Sequence, residues 1–310
     1  MDTASPQTHS TLNELDAFLR RRILGQDQVV PRIVSVLRRG QLGLTKAGRP
    51  RGSFLFLGPT GVGKTEITLA FTEFLMSRDR LFRFDMSEYQ RQESLALLLG
   101  GNSRERGSLG GGVSKPAHGL LLCNEIDTAN PLVLVIFLQI LDDALSTTAS
   151  GERLDLIGFY VVFTSNIGSA ELMNLQHSSF ATMERHVLTR AQQSLRPELY
   201  ARITEKLVFN RLSYDIQLDI AQLLLDEELK FLRAQGHELT VASDVLSFIV
   251  RRGFHPRLGA RPMRDAVEKL VGDAVAERLL ISAGTSGRLL VHDNAERLRI
   301  EATTESNEKA

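Results

Sequence analysis

The feature that most constrains this chain is Gly58-Pro59-Thr60-Gly61-Val62-Gly63-Lys64-Thr65, which follows the apolar run Phe54-Leu55-Phe56-Leu57 and opens a segment carrying Glu66, Leu69 and Phe71. Its glycines let consecutive backbone N–H groups turn toward an anion, and the start of the following helix adds positive potential. Lys64 supplies a cation for terminal phosphates, and the Thr65 hydroxyl is a ligand for the magnesium ion that travels with a nucleoside triphosphate. The whole stretch from Gly58 to Glu66 is therefore a candidate nucleotide cradle. A glycine-rich turn with no ligand is the alternative, but the strand before and the helix after are the context that phosphate binding requires. Such a loop belongs at the carboxyl end of a parallel strand in an α/β fold.

The rest of the chain agrees with that frame. From about Leu12 to Leu212, short apolar runs alternate with amphipathic segments, which predicts a parallel sheet flanked by helices. The runs 53–57, 81–85, 119–124 and 159–164 are the predicted strands. From Tyr214 the apolar spacing turns helical through Ile216, Ile220, Leu223 and Leu224, and again through Val245, Phe248 and Ile249. Gly287 to Val291 and Arg297 to Ile300 read as a hairpin around Asp293 and Asn294. The expected organisation is a polar tail over 1–11, a nucleotide domain over 12–212, a small, mainly helical domain over 213–301 and a second tail over 302–310.

Composition excludes several other classes. The 37 basic and 37 acidic residues cancel, so bulk charge does not call for a nucleic acid or an anionic membrane. The basic stretch Arg38, Arg39, Lys46, Arg49 and Arg51 has no interleaved aromatics for base stacking, which ranks a nucleic-acid role last. A lone Cys123 and seven scattered histidines argue against a disulfide scaffold or a zinc site. The start MDTASPQTHSTLNELDAF has no apolar run of signal-peptide length, and no later run is long enough for a membrane span. A reducing, cytoplasmic setting is the expectation.

Leu120-Leu121-Leu122-Cys123-Asn124-Glu125 is an apolar strand ending in a polar pair, the place of the second acidic motif in nucleotide hydrolases with this loop. Glu125 is the candidate for polarising the attacking water. The position before it usually carries an aspartate that supports Mg²⁺ through its water shell. Here it is Asn124, an uncharged candidate for the same task, so weaker magnesium binding and slower or magnesium-demanding turnover are expected. Asp127 is expected to point away from the site.

Taken together, these residues resemble the Clp family of AAA+ ATPases, and specifically the second nucleotide-binding domain of ClpB and its ClpA relatives. The resemblance runs through Arg22-Ile23-Leu24-Gly25-Gln26-Asp27, the phosphate loop and Asp85-Met86-Ser87-Glu88-Tyr89, then Glu125-Ile126-Asp127 and Leu138-Gln139-Ile140-Leu141-Asp142-Asp143. It continues through Thr164-Ser165-Asn166-Ile167-Gly168-Ser169, Arg196-Pro197-Glu198, Arg202-Ile203 and Gly259-Ala260-Arg261-Pro262. It implies an αβα sandwich with a five-stranded parallel sheet, a helical lid domain ending in short strands, ATP and Mg²⁺ as cofactors, a hexameric ring and a protein client. It also implies roles: Ile23 and Leu24 flanking adenine, Asn166 as a first sensor near the γ-phosphate, Arg261 as a second sensor, and Arg202 presented to the neighbour's ATP. Taken singly, Asn166 has an alternative as a strand-end cap, and the two arginines as surface ion-pair residues.

Two departures matter. The family carries an aromatic pore loop between the Ser-Glu-Tyr motif and the acidic strand, whereas residues 90–118 contain no Tyr, Phe or Trp and offer Leu109 as a modest replacement. No extra hydrophobic tripeptide for docking a peptidase ring follows Asn166. Two readings stay open: an ATP-hydrolysing protein-remodelling enzyme, and a degenerate module that binds ATP to control conformation or assembly with little turnover.

Overall fold

The computed structural model describes residues 6–102, 104–113, 116–175, 178–281, 286–292 and 296–302. The chain divides into two compact units, one of residues 1–59 and 63–211, the other of residues 60–62 and 212–310.

The first unit is built on a parallel sheet of five strands in the order β2-β3-β6-β1-β7. These are β1 (Gly52–Leu57), β2 (Leu81–Asp85), β3 (Gly119–Asn124), β6 (Phe159–Ser165) and β7 (Glu205–Val208). A separate two-stranded hairpin, β4 (Leu145–Thr147) and β5 (Arg153–Asp155), lies between β3 and β6 in the chain. Every residue of β1, β3 and β6 is buried, which is why these strands read as unbroken apolar runs: helices cover both faces. Among the covering helices are Val30–Gln41, Lys64–Leu75, Pro131–Asp143 and Phe180–Ser194. The edge strand β7 was not among the predicted runs, because Lys206-Leu207-Val208 carries only two adjacent apolar residues and takes its strand geometry from pairing with β1. The first helix begins at Pro6, inside the stretch expected to be a tail, and ends at Arg22.

The stretch between β2 and β3 contains two short helices, Ser94–Leu99 and the glycine-rich Gly107–Val113, and Leu109 is fully buried in the main core. The glycines serve close packing: a Cβ on Gly110 would stand 2.8 Å from Thr148, and one on Gly112 would stand 3.0 Å from the Phe82 ring. Leu109 therefore cannot replace an aromatic grip on a client, which corrects the sequence reading.

The second unit contains the helices Tyr214–Ala234, Val245–Gly253 and Met263–Ile281 around a core that includes Phe248, Ile249, Val267 and Val271. Its sheet has the order β10-β9-β8, with β8 (Leu239–Val241) parallel to β9 (Gly287–Val291) and β10 (Leu298–Glu301) antiparallel to it. The expected terminal pair of strands is present, while Asp293 and Asn294 lie outside the described residues. No helix among the described residues is long and apolar enough to cross a membrane.

Candidate functional site

The phosphate loop leaves β1 at its carboxyl end and enters the helix Lys64–Leu75. Gly58, Gly61 and Gly63 all have positive φ (133°, 73° and 105°), so an L side chain at any of them would be strained. At Gly58 a Cβ would also stand 2.6 Å from the Phe209 carbonyl oxygen, so both conformation and space demand glycine. Gly63 occupies the N-cap of the twelve-residue helix, whose first N–H groups have no partner one turn earlier. Thr65 and Glu66 follow in that first turn, and Glu66 accepts from Arg22 Nε at 2.9 Å.

Lys64 folds back over its own loop. Its Nζ donates to the carbonyl oxygens of Gly58 and Pro59 and to Asn166 Oδ1 at 3.0 Å. Asn166 directly follows β6, a central neighbour of β1, so two residues 102 positions apart meet at one edge of the sheet. Burial pushes the Lys64 amine down to about 8, against the opposing pull of Asp127 and then Glu125. Asp127, expected to point away, is exposed.

Glu125 directly follows β3 in the left-handed region, with φ 55° and ψ 48°, a conformation that a non-glycine residue holds only against a local penalty. Its backbone N–H donates to Thr164 Oγ1 at 3.3 Å, and its carbonyl accepts from Thr128 Oγ1 at 2.8 Å. Beside it, Asn124 is buried between Thr164 Oγ1 and the Arg83 guanidinium; because a guanidinium only donates, its amide is assigned with the oxygen toward Arg83 Nε (2.8 Å) and Nη2 (3.2 Å) and the nitrogen toward Thr164 Oγ1 (3.2 Å), in place of the opposite amide orientation, in which Thr164 Oγ1 donates to Asn124 Oδ1. Arg83 reaches this point because β2 and β3 run parallel, with Asp85 opposite Asn124.

The donor set answers the question of a magnesium ion in two parts. The Thr65 hydroxyl, in the first turn after the loop, is a suitable ligand. Asn124 is not a suitable support, because its one acceptor oxygen faces a guanidinium. Among the described residues, no group of three or more His, Cys, Asp or Glu side chains gathers at a common point.

Ile23 is buried, and its Cγ2 lies 3.8 Å from the position a Cβ on Gly63 would take, so it borders the loop; Leu24 beside it is half-buried. The fully buried Gln26 fixes this segment: its Oε1 accepts from Asn210 N–H and its Nε2 donates to Asn210 O, each at 2.9 Å.

Arg202 lies elsewhere. It ends the helix Pro197–Arg202 just before β7, and its Nε donates to Asp142 Oδ2 at 2.5 Å. Glu205 pairs with Phe54 and Val208 with Leu57, so Arg202, three residues before Glu205, and the phosphate loop stand at opposite ends of this strand pair, whose paired residues alone span roughly 10 Å. Arg202 cannot serve its own loop. Beside it opens a cleft of about 200 Å³ lined by Arg39, Lys46, Arg49 and Arg51, among others. Arg38, from the same basic stretch, turns inward instead and donates to the Leu12 carbonyl. Arg261 belongs to the second unit, where it is exposed immediately before the helix Met263–Ile281.

Sequence reasoning missed Arg83, Gln26 in its bracing role, and Asp142. A charged residue inside the apolar run Leu81-Phe82-Arg83-Phe84 was the available signal for the first. The others needed three-dimensional pairing.

Comparison with known proteins adds to this geometry. The family described as AAA domain (Cdc48 subfamily) matches residues 49–206, and the C-terminal D2-small domain of ClpB matches residues 212–288. Over 293 residues the chain is 32% identical to chaperone protein ClpB 1 of Nostoc sp., covering 92% of this chain and 33% of that protein. It is 36% identical to the ClpA homologue of Porphyra purpurea, an ATP-binding subunit of an ATP-dependent Clp protease, over 89% of this chain and 36% of the relative. The solved Hsp104–ADP complex of S. cerevisiae superposes with a TM-score of 0.85 at 26% identity, over 94% of this chain and 52% of the other. The chain thus spans about a third of the length of these sequence relatives.

Proposed function

Since this chain belongs to the Clp family of AAA+ ATPases, with the small C-terminal domain of the ClpB kind, we propose that it binds ATP on the loop Gly58–Thr65 and hydrolyses it slowly, as a protein-remodelling ATPase working in a ring. The observation that carries this reading is the meeting of Lys64 and Asn166, 3.0 Å apart, at the carboxyl edge of the sheet where Glu125 also follows its strand. Phosphoryl transfer is catalysed mainly by placing cations and donors around developing charge. In this reading Lys64 holds the terminal phosphates, Glu125 orients the attacking water, and Asn166 fixes lysine and phosphate relative to each other. Ile23 and Leu24 line the adenine side.

Arg202, out of reach of its own loop, acts on a nucleotide held by a second copy, which makes the assembly the catalytic unit. Its ion pair with Asp142 holds the guanidinium in place before assembly. The sensor role of Arg261 rests on the family resemblance. The client is a protein, as the names of the chaperone relatives suggest, and the cytoplasm is the proposed setting. Nucleic acid, membrane and a peptidase ring have no place in this reading.

A second reading has its own support. Asn124 faces a cation, and the buried Leu109 leaves the tract between β2 and β3 without an aromatic grip, both of which fit a module that binds ATP to hold a conformation or an assembly. Turnover and particle size, measured together with and without ATP and magnesium, separate the two. Nucleotide-dependent rings that release phosphate, with release abolished in Glu125→Gln, support the enzyme. Tight binding with no release above the Glu125→Gln background supports the module.

A further inference from the structure

In nucleotide hydrolases of this kind the residue before the catalytic glutamate supplies a negative charge to a hydrated dication. Here that residue is the middle of a hydrogen-bonded chain. With the Asn124 amide assigned so that its oxygen meets the donor-only guanidinium, Arg83 donates through Nε and Nη2 to that oxygen, and the amide nitrogen donates to Thr164 Oγ1. Thr164 Oγ1 in turn accepts the backbone N–H of Glu125. Among the described residues no carboxylate lies within 4.0 Å of Arg83, so its charge is uncompensated by an ion pair. With the amide assigned in this way, the Asn124 acceptor oxygen is occupied by the guanidinium of the solvent-exposed Arg83, and the carboxylate-bearing Asp85 stands opposite Asn124 in the strand register. A neutral amide engaged by a cation disfavours a hard dication there relative to an aspartate.

We propose that Arg83 and Asn124 together replace the acidic magnesium support, so that this site retains ATP almost independently of magnesium, and that the same chain holds Glu125 in its left-handed turn. Arg83 and Asn124 are positioning residues in this scheme. The inference rests on the nucleotide reading of the loop and adds the ion dependence of that site. The Glu125 backbone, at φ 55°, is held from one side by Thr164 Oγ1 and from the other by Thr128 Oγ1. Asn124 therefore does structural work that an aspartate, drawn to the guanidinium as an ion pair, would do with an added negative charge.

Equilibrium binding of ATP to the full chain, with excess Mg²⁺ and with EDTA, tests this without relying on turnover. In the wild type the two dissociation constants should differ by less than about 3-fold, whereas Asn124→Asp should bring the ratio to about 10-fold or more in favour of magnesium. Arg83→Gln should raise the ratio by weakening magnesium-free binding, and Arg83→Lys, which keeps the charge, should hold it low. The Arg83 pair keeps the test open even if Asn124→Asp does not fold. A wild-type ratio equal to that of Asn124→Asp overturns the proposal. So does a large wild-type ratio that disappears in Asp127→Asn, which would assign the metal support to Asp127. If the wild type binds no ATP under either condition, the nucleotide reading itself fails, and this inference with it.

Discussion

Lys64 concentrates the electrostatics of the loop in one amine. Burial lowers its proton affinity to about 8, while only the charged form attracts phosphate. A bound phosphate stabilises the charged form, so binding takes up a proton wherever the free protein has lost it, and affinity falls as pH rises through about 8. ATP affinity should drop roughly 10-fold between pH 7 and pH 9, and the pH dependence should be much flatter in Lys64→Ala; this follows from one unit of titration past the midpoint. A dissociation constant that stays level across that interval would contradict the assignment. At this scale the sequence was most informative about residues whose chemistry is local. The glycines and the Lys64-Thr65 pair were legible because a phosphate cradle needs a fixed local spacing. Arg83 was not, because its meaning depends on the register that brings it from β2 against Asn124 of β3.

Elements position these residues through a few long-range ties. Gln26 is fully buried and satisfies both the N–H and the carbonyl of Asn210, 184 positions away, so it holds the Ile23-Leu24 segment beside the chain leaving β7. Truncation at Gln26→Ala would remove the side-chain partner of both backbone groups of the half-buried Asn210, and should destabilise the fold by about 1–2 kcal/mol. Chemical unfolding of the two proteins measures this, and a difference below about 0.5 kcal/mol would show the brace to be dispensable. The helices around Leu109 carry a similar lesson. Gly107–Val113 is helical despite four glycines in seven residues, and Gly110 and Gly112 are small because Thr148 and Phe82 press against them. Glycine for freedom and glycine for proximity look alike until the neighbours are known. The inner strands were legible because burial on both faces leaves a continuous apolar run, and β7 was not because four edge residues carry too little pattern.

For the whole molecule, the separation of Arg202 from its own loop is the decisive geometry. If the arginine serves a neighbouring copy, Arg202→Ala should bind ATP like the wild type yet lose turnover by about 100-fold or more, within the range known for arginines supplied in trans. Lys64→Ala should fail for the opposite reason, lacking the phosphates. Mixed together, the two inactive variants should recover part of the wild-type rate, because a Lys64→Ala copy still presents Arg202 to an Arg202→Ala copy with an intact loop. A mixture no faster than its components would count against shared sites. The buried Leu109 adds an expectation of its own: an unfolded, labelled polypeptide should not be driven through the assembly by ATP, and robust ATP-driven unfolding would contradict this. The most direct test of the central claim is a calorimetric titration of ATP into the wild type and Lys64→Ala. The account predicts one ATP per chain for the wild type and affinity weakened at least about 30-fold in the variant, the scale expected for a buried charge-assisted contact. Equal heats from the two proteins, or none from a folded wild type, would contradict it.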